Sequence, residues 1–145
     1  MGKKRIAAKG GNNKGGNALK SRTISRGSKR KLQTGVLQVQ STYNNTRVSL
    51  SDLDGNIVFT SSAGALGFKG AKKGTPFAAA KVGELIGEQA AGAGLKEVDV
   101  VVKGVGAGRE SAIRSFIGSG VVIKTIKDKT PVPHNGPKAP KPRRV

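Results

Sequence analysis

The chain has 145 residues, with 27 Lys plus Arg against 8 Asp plus Glu and a formal charge of +19. That length holds one domain, and such an excess of positive charge opposes compaction unless a polyanion neutralises it, which counterion release from phosphates favours. Cysteine is absent, which excludes disulfides and Cys-based zinc sites, and no run of roughly 18 apolar residues is present to span a bilayer.

The charge is unevenly spread. Residues 1–31 hold eleven Lys/Arg and no acid, residues 32–123 hold nine basic and seven acidic residues, and residues 124–145 hold seven basic residues and only Asp128. The chain therefore divides into a basic arm over 1–34, a nearly neutral body over 35–128 and a basic tail over 129–145. The arm contains Gly10-Gly11, Asn12-Asn13 and Gly15-Gly16 before the cluster Lys29-Arg30-Lys31. It cannot bury enough apolar area to offset its ordering entropy, so it is expected to be disordered when free and to order on RNA. It lacks the apolar stretch of a secretory signal. Its acid-free, Ser-containing composition is shared with organelle transit peptides, but its Gly and Asn residues suit an amphipathic helix poorly, which favours a cytoplasmic setting over an organellar one.

The body opens on alternation. Leu37 and Val39 alternate with Gln38 and Gln40, and after the turn-prone Tyr43-Asn44-Asn45-Thr46 the pattern resumes at Val48 and Leu50, so two half-buried strands are predicted. Asp54-Gly55-Asn56 is a hairpin signal because tight turns need positive φ, and Ile57-Val58-Phe59 starts a third strand. These three strands make an antiparallel meander. Ser61 to Gly74 has no periodicity and ends at Thr75-Pro76, an N-cap followed by proline at the first helical position. The predicted helix runs to about Ala91, with Gly92 and Gly94 marking its end. Ala78, Val82, Leu85, Ile86 and Gln89 define its buried face, and Lys81, Glu84 and Glu88 its wet one. Ala79, Gly83, Gly87 and Ala91 form a row of small residues that invites close backbone approach, with the sheet as the default surface.

Val98 to Val102 is apolar except for Asp99, as expected of a strand covered on both faces. Gly104-Val105-Gly106-Ala107-Gly108 leads into a short helix from Arg109 to about Ile117, stopped by Gly118 and Gly120, and Val121-Val122-Ile123 with Ile126 forms the last strand. The order β-β-β-α-β-α-β predicts an α/β body whose later strands join by crossover helices and run parallel.

Several segments carry the chemistry of a phosphate-binding surface. Glycines at the Gly104–Gly108 turn let a backbone approach closely, and the start of the following helix attracts anions. A backbone phosphate contact at Gly106 and Gly108, with Arg109 as the charged member and Arg114 one turn further, is preferred over a merely tight turn. The segment is no dinucleotide fingerprint, because the third glycine of G-x-G-x-x-G would fall on Arg109, and it lacks the G-K-[ST] ending of a P-loop. Lys69, Lys72 and Lys73 precede the first long helix in a stretch with few side chains other than charged ones, so RNA contact is preferred over a solvated loop. Phe59, Phe77 and Phe116 sit in apolar contexts and read as core. Tyr43 alone stands where it is free to stack on a base. The chain reads as a reader of RNA shape and backbone.

Catalysis is not expected. Asp54 is explained by its turn, Glu84 and Glu88 by a wet helix side, and Glu110 by the helix start. The single His, at 134, has no acidic neighbour in its proline-rich tail, so no nucleophile–base pair is visible, and no metal, cofactor or small-molecule substrate is called for. A nucleoid-type DNA-compacting protein, which also needs basic arms, is the main rival, but it would require dimerisation or a groove-reading helix, and neither helix here is notably basic. An enzyme with a nucleotide at the Gly104 loop comes third.

Four stretches carry a resemblance: Gln40-Ser-Thr-Tyr-Asn-Asn-Thr46, Gly67-Phe-Lys-Gly-Ala-Lys-Lys-Gly-Thr-Pro-Phe77, Lys103-Gly-Val-Gly-Ala-Gly-Arg-Glu-Ser-Ala-Ile-Arg114 and Asp128-Lys-Thr-Pro-Val-Pro-His-Asn-Gly136. In this order, with the Arg143-Arg144-Val145 ending, they resemble the small ribosomal subunit protein eleven (S-eleven) family of bacterial or organellar type, from about Gly35 to Val145. The resemblance implies an RNase H-like α/β fold without nuclease carboxylates and a place on the platform of the small subunit. There it would bridge helices of small-subunit rRNA near the mRNA exit, the Shine–Dalgarno duplex and the E site, beside proteins of the S-seven, S-eighteen and S-twenty-one types. By motif match, Asn44, Asn45, Lys69, Lys72, Lys73, Arg109, His134, Asn135, Arg143 and Arg144 inherit the RNA-facing role, with Lys29, Arg30, Lys31 and Lys138 added by their basic context. Thr60 stands where the family usually has Trp, Gln38 where an aromatic or His is common, and Pro137-Lys138 where Cys-Arg is usual.

Asn135-Gly136 is a pair prone to cyclise, because glycine offers no steric hindrance. Peptide maps of aged protein should show isoaspartate at 135, and an intact Asn135 would count against it.

Overall fold

The computed structural model describes residues 31–144, so the Lys29 and Arg30 expectations lie outside the described residues. Five strands form one sheet: β1 (Thr34–Ser41), β2 (Thr46–Ser51), β3 (Ile57–Ser62), β4 (Glu97–Lys103) and β5 (Val122–Asp128). Two helices, α1 (Pro76–Gly92) and α2 (Arg109–Ile117), connect β3 to β4 and β4 to β5, and a short 3-10 turn, Gly70–Gly74, precedes α1. The strand order is β3-β2-β1-β4-β5. β1 pairs antiparallel with β2 and β2 with β3, whereas β1–β4 and β4–β5 are parallel. This is the α/β body expected, a meander continued by β-α-β-α-β.

Local chemistry sets the elements. Thr75 caps α1, its hydroxyl accepting the Ala78 N–H, and Pro76 fills the position whose missing N–H costs nothing. Gly55, at φ +90°, turns the β2–β3 hairpin where an L side chain would be strained. One apolar cluster joins Leu37 and Val39 of β1, Val48 and Leu50 of β2, and Val98, Val100 and Val102 of β4 to Val82 and Ile86 of α1 and Phe116 of α2. Leu32 is buried in this cluster and its N–H donates to the Ala93 carbonyl. Packing against the body thus starts before position 35, where the arm was expected to end.

Three expectations are corrected. The small-residue row does not face the sheet: a Cβ on Gly83 would collide with the Ala112 carbonyl and one on Gly87 with the Ser119 side chain, so the row lies against α2, and Ala91 is exposed. β4 is not covered on both faces, because Val98, Val100 and Val102 are buried while Asp99 and Val101 are only half-buried. Both helices lie on one side, leaving the other side of the sheet open. Phe77 is not core. It is 64% exposed on the first turn of α1, edge-on to Phe68 at 6.1 Å, and lines a shallow groove with Leu66 and Leu85. Phe59 and Phe116 are buried as expected. Thr60 lies on the open face, bonded to Ser49 at 3.0 Å, so its departure from Trp leaves the core untouched. Among the described residues no helix is long and apolar enough to cross a membrane.

Gly83→Ala should lower stability by about 1–3 kcal/mol, because the clash with α2 outweighs the gain of about 1 kcal/mol in helix propensity. Gly92→Ala, which meets open space, should leave the melting temperature unchanged or raise it. Thermal melts of the two variants check both signs.

Candidate nucleic-acid interface

Parallel β1, β4 and β5 end on the same side of the body, and in such sheets ligands gather beyond the carboxyl ends of the strands. At that end the β1–β2 turn, Ser41 to Thr46, is the point on which two other segments close, and a third is latched to the second of them. The turn is held by the Thr42 N–H donating to the Asn45 carbonyl at 2.8 Å and by the Thr46 N–H donating to Asn45 Oδ1 at 3.0 Å. Asn45 is therefore half-buried and committed to the turn, whereas Asn44 and Tyr43 point outward, Tyr43 at 79% exposure.

The 3-10 turn reaches this loop first. A Cβ on Gly74 would collide with the Tyr43 carbonyl, so glycine is what lets the chain carrying Lys69, Lys72 and Lys73 lie beside Asn44. Lys69 and Lys72 are exposed and Lys73 is half-buried.

The glycine loop between β4 and α2 comes next. Gly104, at φ +94°, would meet the Ser41 carbonyl with a Cβ, Gly106 the Ser41 hydroxyl and the Thr42 carbonyl, and Gly108 the Thr46 hydroxyl and Ala79. The Gly106 N–H donates to the Ser41 carbonyl at 3.2 Å. Gly106 and Gly108 are buried, so close packing onto the β1–β2 turn accounts for these glycines. A phosphate at this loop would meet the start of α2 rather than the two buried glycines.

Arg109 is held within the protein. Its guanidinium donates to the Gly104 carbonyl and pairs with Asp128 at 2.6 Å. Asp128 also accepts the Thr130 hydroxyl at 2.6 Å and the Thr130 N–H at 2.9 Å. The Thr130 hydroxyl in turn accepts the Gly104 N–H at 3.2 Å. Arg109, Gly104, Asp128 and Thr130 form one latch that fixes where the basic tail leaves the body. The Thr130 hydroxyl, then the Arg109 guanidinium, then the Thr130 N–H hold the Asp128 carboxyl well below the usual carboxylate range. The sequence reading missed this latch, although the Asp128-Lys129-Thr130 spacing, at which an acid and a hydroxyl close a turn, was its signal.

The remaining candidates are not gathered here. Arg114, further along α2, pairs loosely with Glu110 at 3.4 Å, with both side chains more than four-fifths exposed, an ion pair worth little. Lys31 is exposed at the opposite end of β1, roughly 25 Å away by strand length. His134, Asn135, Lys138, Arg143 and Arg144 are exposed in a tail without helix or strand, where Asn135 takes φ 55°. Among the described residues no three His, Asp or Glu side chains are grouped to hold a metal ion. The family model described as Ribosomal protein S11 matches residues 35–144, well over half of the chain.

A depressed carboxylate contributes stability that is present above its unfolded value and lost as pH falls toward its folded one. Asp128→Asn should therefore lower the melting temperature at neutral pH. The gap to the wild-type chain should close as pH drops below about 3.9, the ordinary carboxylate value. Melts between neutral and strongly acid pH check this, and a gap that persists in acid would show that the latch does not act through the Asp128 charge.

Proposed function

The chain belongs to the Ribosomal protein S11 family, structural proteins of the small ribosomal subunit that bind its rRNA, and on that premise we propose that it sits on the platform and bridges rRNA helices there. One observation carries this reading: the Asn44 turn, the Lys69–Lys73 segment, the start of α2 and the root of the basic tail converge at one end of the sheet. Converging backbone turns and cations suit an RNA backbone held by position, since phosphate contacts fix register while base edges carry sequence. Tyr43 adds one exposed ring for stacking on an unpaired base. The tail, from His134 to Arg144, threads into rRNA from the latch, and the basic cluster ending at Lys31 does the same from the other end of β1.

In this arrangement the protein stands beside the mRNA exit, the Shine–Dalgarno duplex and the E site, with proteins of the S-seven, S-eighteen and S-twenty-one types as neighbours, in a cytoplasmic ribosome. It works by electrostatic and shape complementarity, without catalysis. The DNA-compacting alternative gains no support from α1 or α2, since neither presents a basic face to enter a groove.

Co-sedimentation of tagged protein with lysate on sucrose gradients should follow small subunits at low and at moderately high salt. Migration with DNA, or free migration at modest salt, would overturn the reading. In binding to isolated small-subunit rRNA, Lys72→Gln with Lys73→Gln should weaken affinity and reduce the salt slope by about 0.7–0.9 for each phosphate that is no longer neutralised. Cross-linking within intact subunits checks the neighbours.

A further inference from the structure

The open face of the sheet is a surface that the loop cluster leaves unexplained. Its residues follow from the pairing. Gln40 lies opposite Arg47 on β2 and beside Lys103 on β4, so Arg47, Gln40 and Lys103 form one row across three strands. One step toward the other end, Thr60, Ser49, Gln38, Val101 and Lys127 form a second row across all five strands. Arg47, Lys103 and Lys127 are exposed. None of the three takes part in an ion pair among the described residues. Arg47 and Lys103 stand about 10 Å apart, two strand spacings, with Lys127 a further strand and row away.

The charge on this face is graded. Asp99, bonded to Thr125 at 2.6 Å, lies one row beyond Lys127, and Glu97 lies beyond that. The basic rows therefore sit at the carboxyl end of β1 and β4, and the row of Arg47, Gln40 and Lys103 borders the β1–β2 turn described above. The outer side of the helix layer differs, because its exposed cations are matched by acids: Lys81 pairs with Glu84 and Arg114 with Glu110, and Glu88 stands beside them. The basic rows hold Gln, Ser and Thr between the cations and no aromatic ring, and Val101 is half-buried. The exposed apolar side chains of this face, Ile57 and Val122, lie at its other end, in the rows of Asp99 and Glu97. The polar, cationic rows are thus the part that complements phosphate oxygens, and they offer no stacking platform for bases.

Resting on the rRNA-binding reading above, we propose that the open sheet face is a second RNA site, on which Arg47, Lys103 and Lys127 hold the phosphate backbone of an rRNA segment continuous with that at the loop cluster. The body then meets RNA on two adjoining surfaces, with its helix layer turned away.

The test is the triple variant Arg47→Gln, Lys103→Gln, Lys127→Gln, with Lys81→Gln, Lys96→Gln as a charge control away from the face. Binding of each full chain to small-subunit rRNA is measured across a salt series, with circular dichroism and melting to verify the fold. The triple variant should lose about 2–3 units of log K against log salt slope, from about 0.7–0.9 per phosphate neutralised, and the control less than one. An unchanged slope in a folded triple variant overturns the sheet-face site, as does an equal loss per charge in the control. If the triple variant does not fold, the three single variants carry the same measurement, each expected to lose about one unit. Failure of the wild-type chain to bind rRNA in a salt-dependent way would instead overturn the underlying reading.

Discussion

Both crossovers travel the same way across the sheet, from β3 past β2 and β1 to β4, and then from β4 to β5. Parallel connections are almost always right-handed, and two that run in the same direction must lie on the same face. α1 and α2 are thereby confined to one side of five strands and have to share it. The glycines at 83 and 87 follow, because only a bare backbone lets α1 come so close to α2. The helix starts then fall at the same end of the sheet, and with them the Lys72 segment and the glycine loop. The open face is the other half of the same constraint, since a side without helices must be wettable.

Much of this was legible in the residues. The period-two alternation at Leu37/Val39 and Val48/Leu50, the Asp54-Gly55 turn and the Thr75-Pro76 cap each name a local structure with its cause, and each element stands where they place it. Burial was harder to read. Val98 to Val102 has the apolar run of a doubly covered strand, but whether a second layer exists depends on crossover direction, which no local pattern carries. Phe77 has apolar neighbours in sequence, yet at the first turn of α1 its side chain projects beyond the edge of the core.

The site was legible in its parts and not in its joins. Lys72, Asn44 and the Gly104–Gly108 turn are separated in sequence and meet only because of strand order. A run of glycines announces that something approaches closely without saying what, and at 106 and 108 the visitor is the protein's own β1–β2 turn. Arg109 shows the same limit. A cation after a glycine loop looks outward in sequence, but the carboxylate that claims it is Asp128 on the neighbouring stretch of sheet.

Leu32 and Thr130 fix the two points at which basic chain leaves the body, one at each end of the parallel strands. These points are separated by the length of a strand, roughly 25 Å. A ligand grasped at both ends behaves as a chelate: once one end is seated, the other rebinds from a high local concentration rather than from bulk solution. Escape then requires both ends to let go together, so the lifetime on a large polyanion is governed by coincidence of two releases and not by the strength of either grip. With both ends held by rRNA, as proposed above, exchange into a finished particle would be slow, and the moment of entry would be set by when both receiving surfaces first exist.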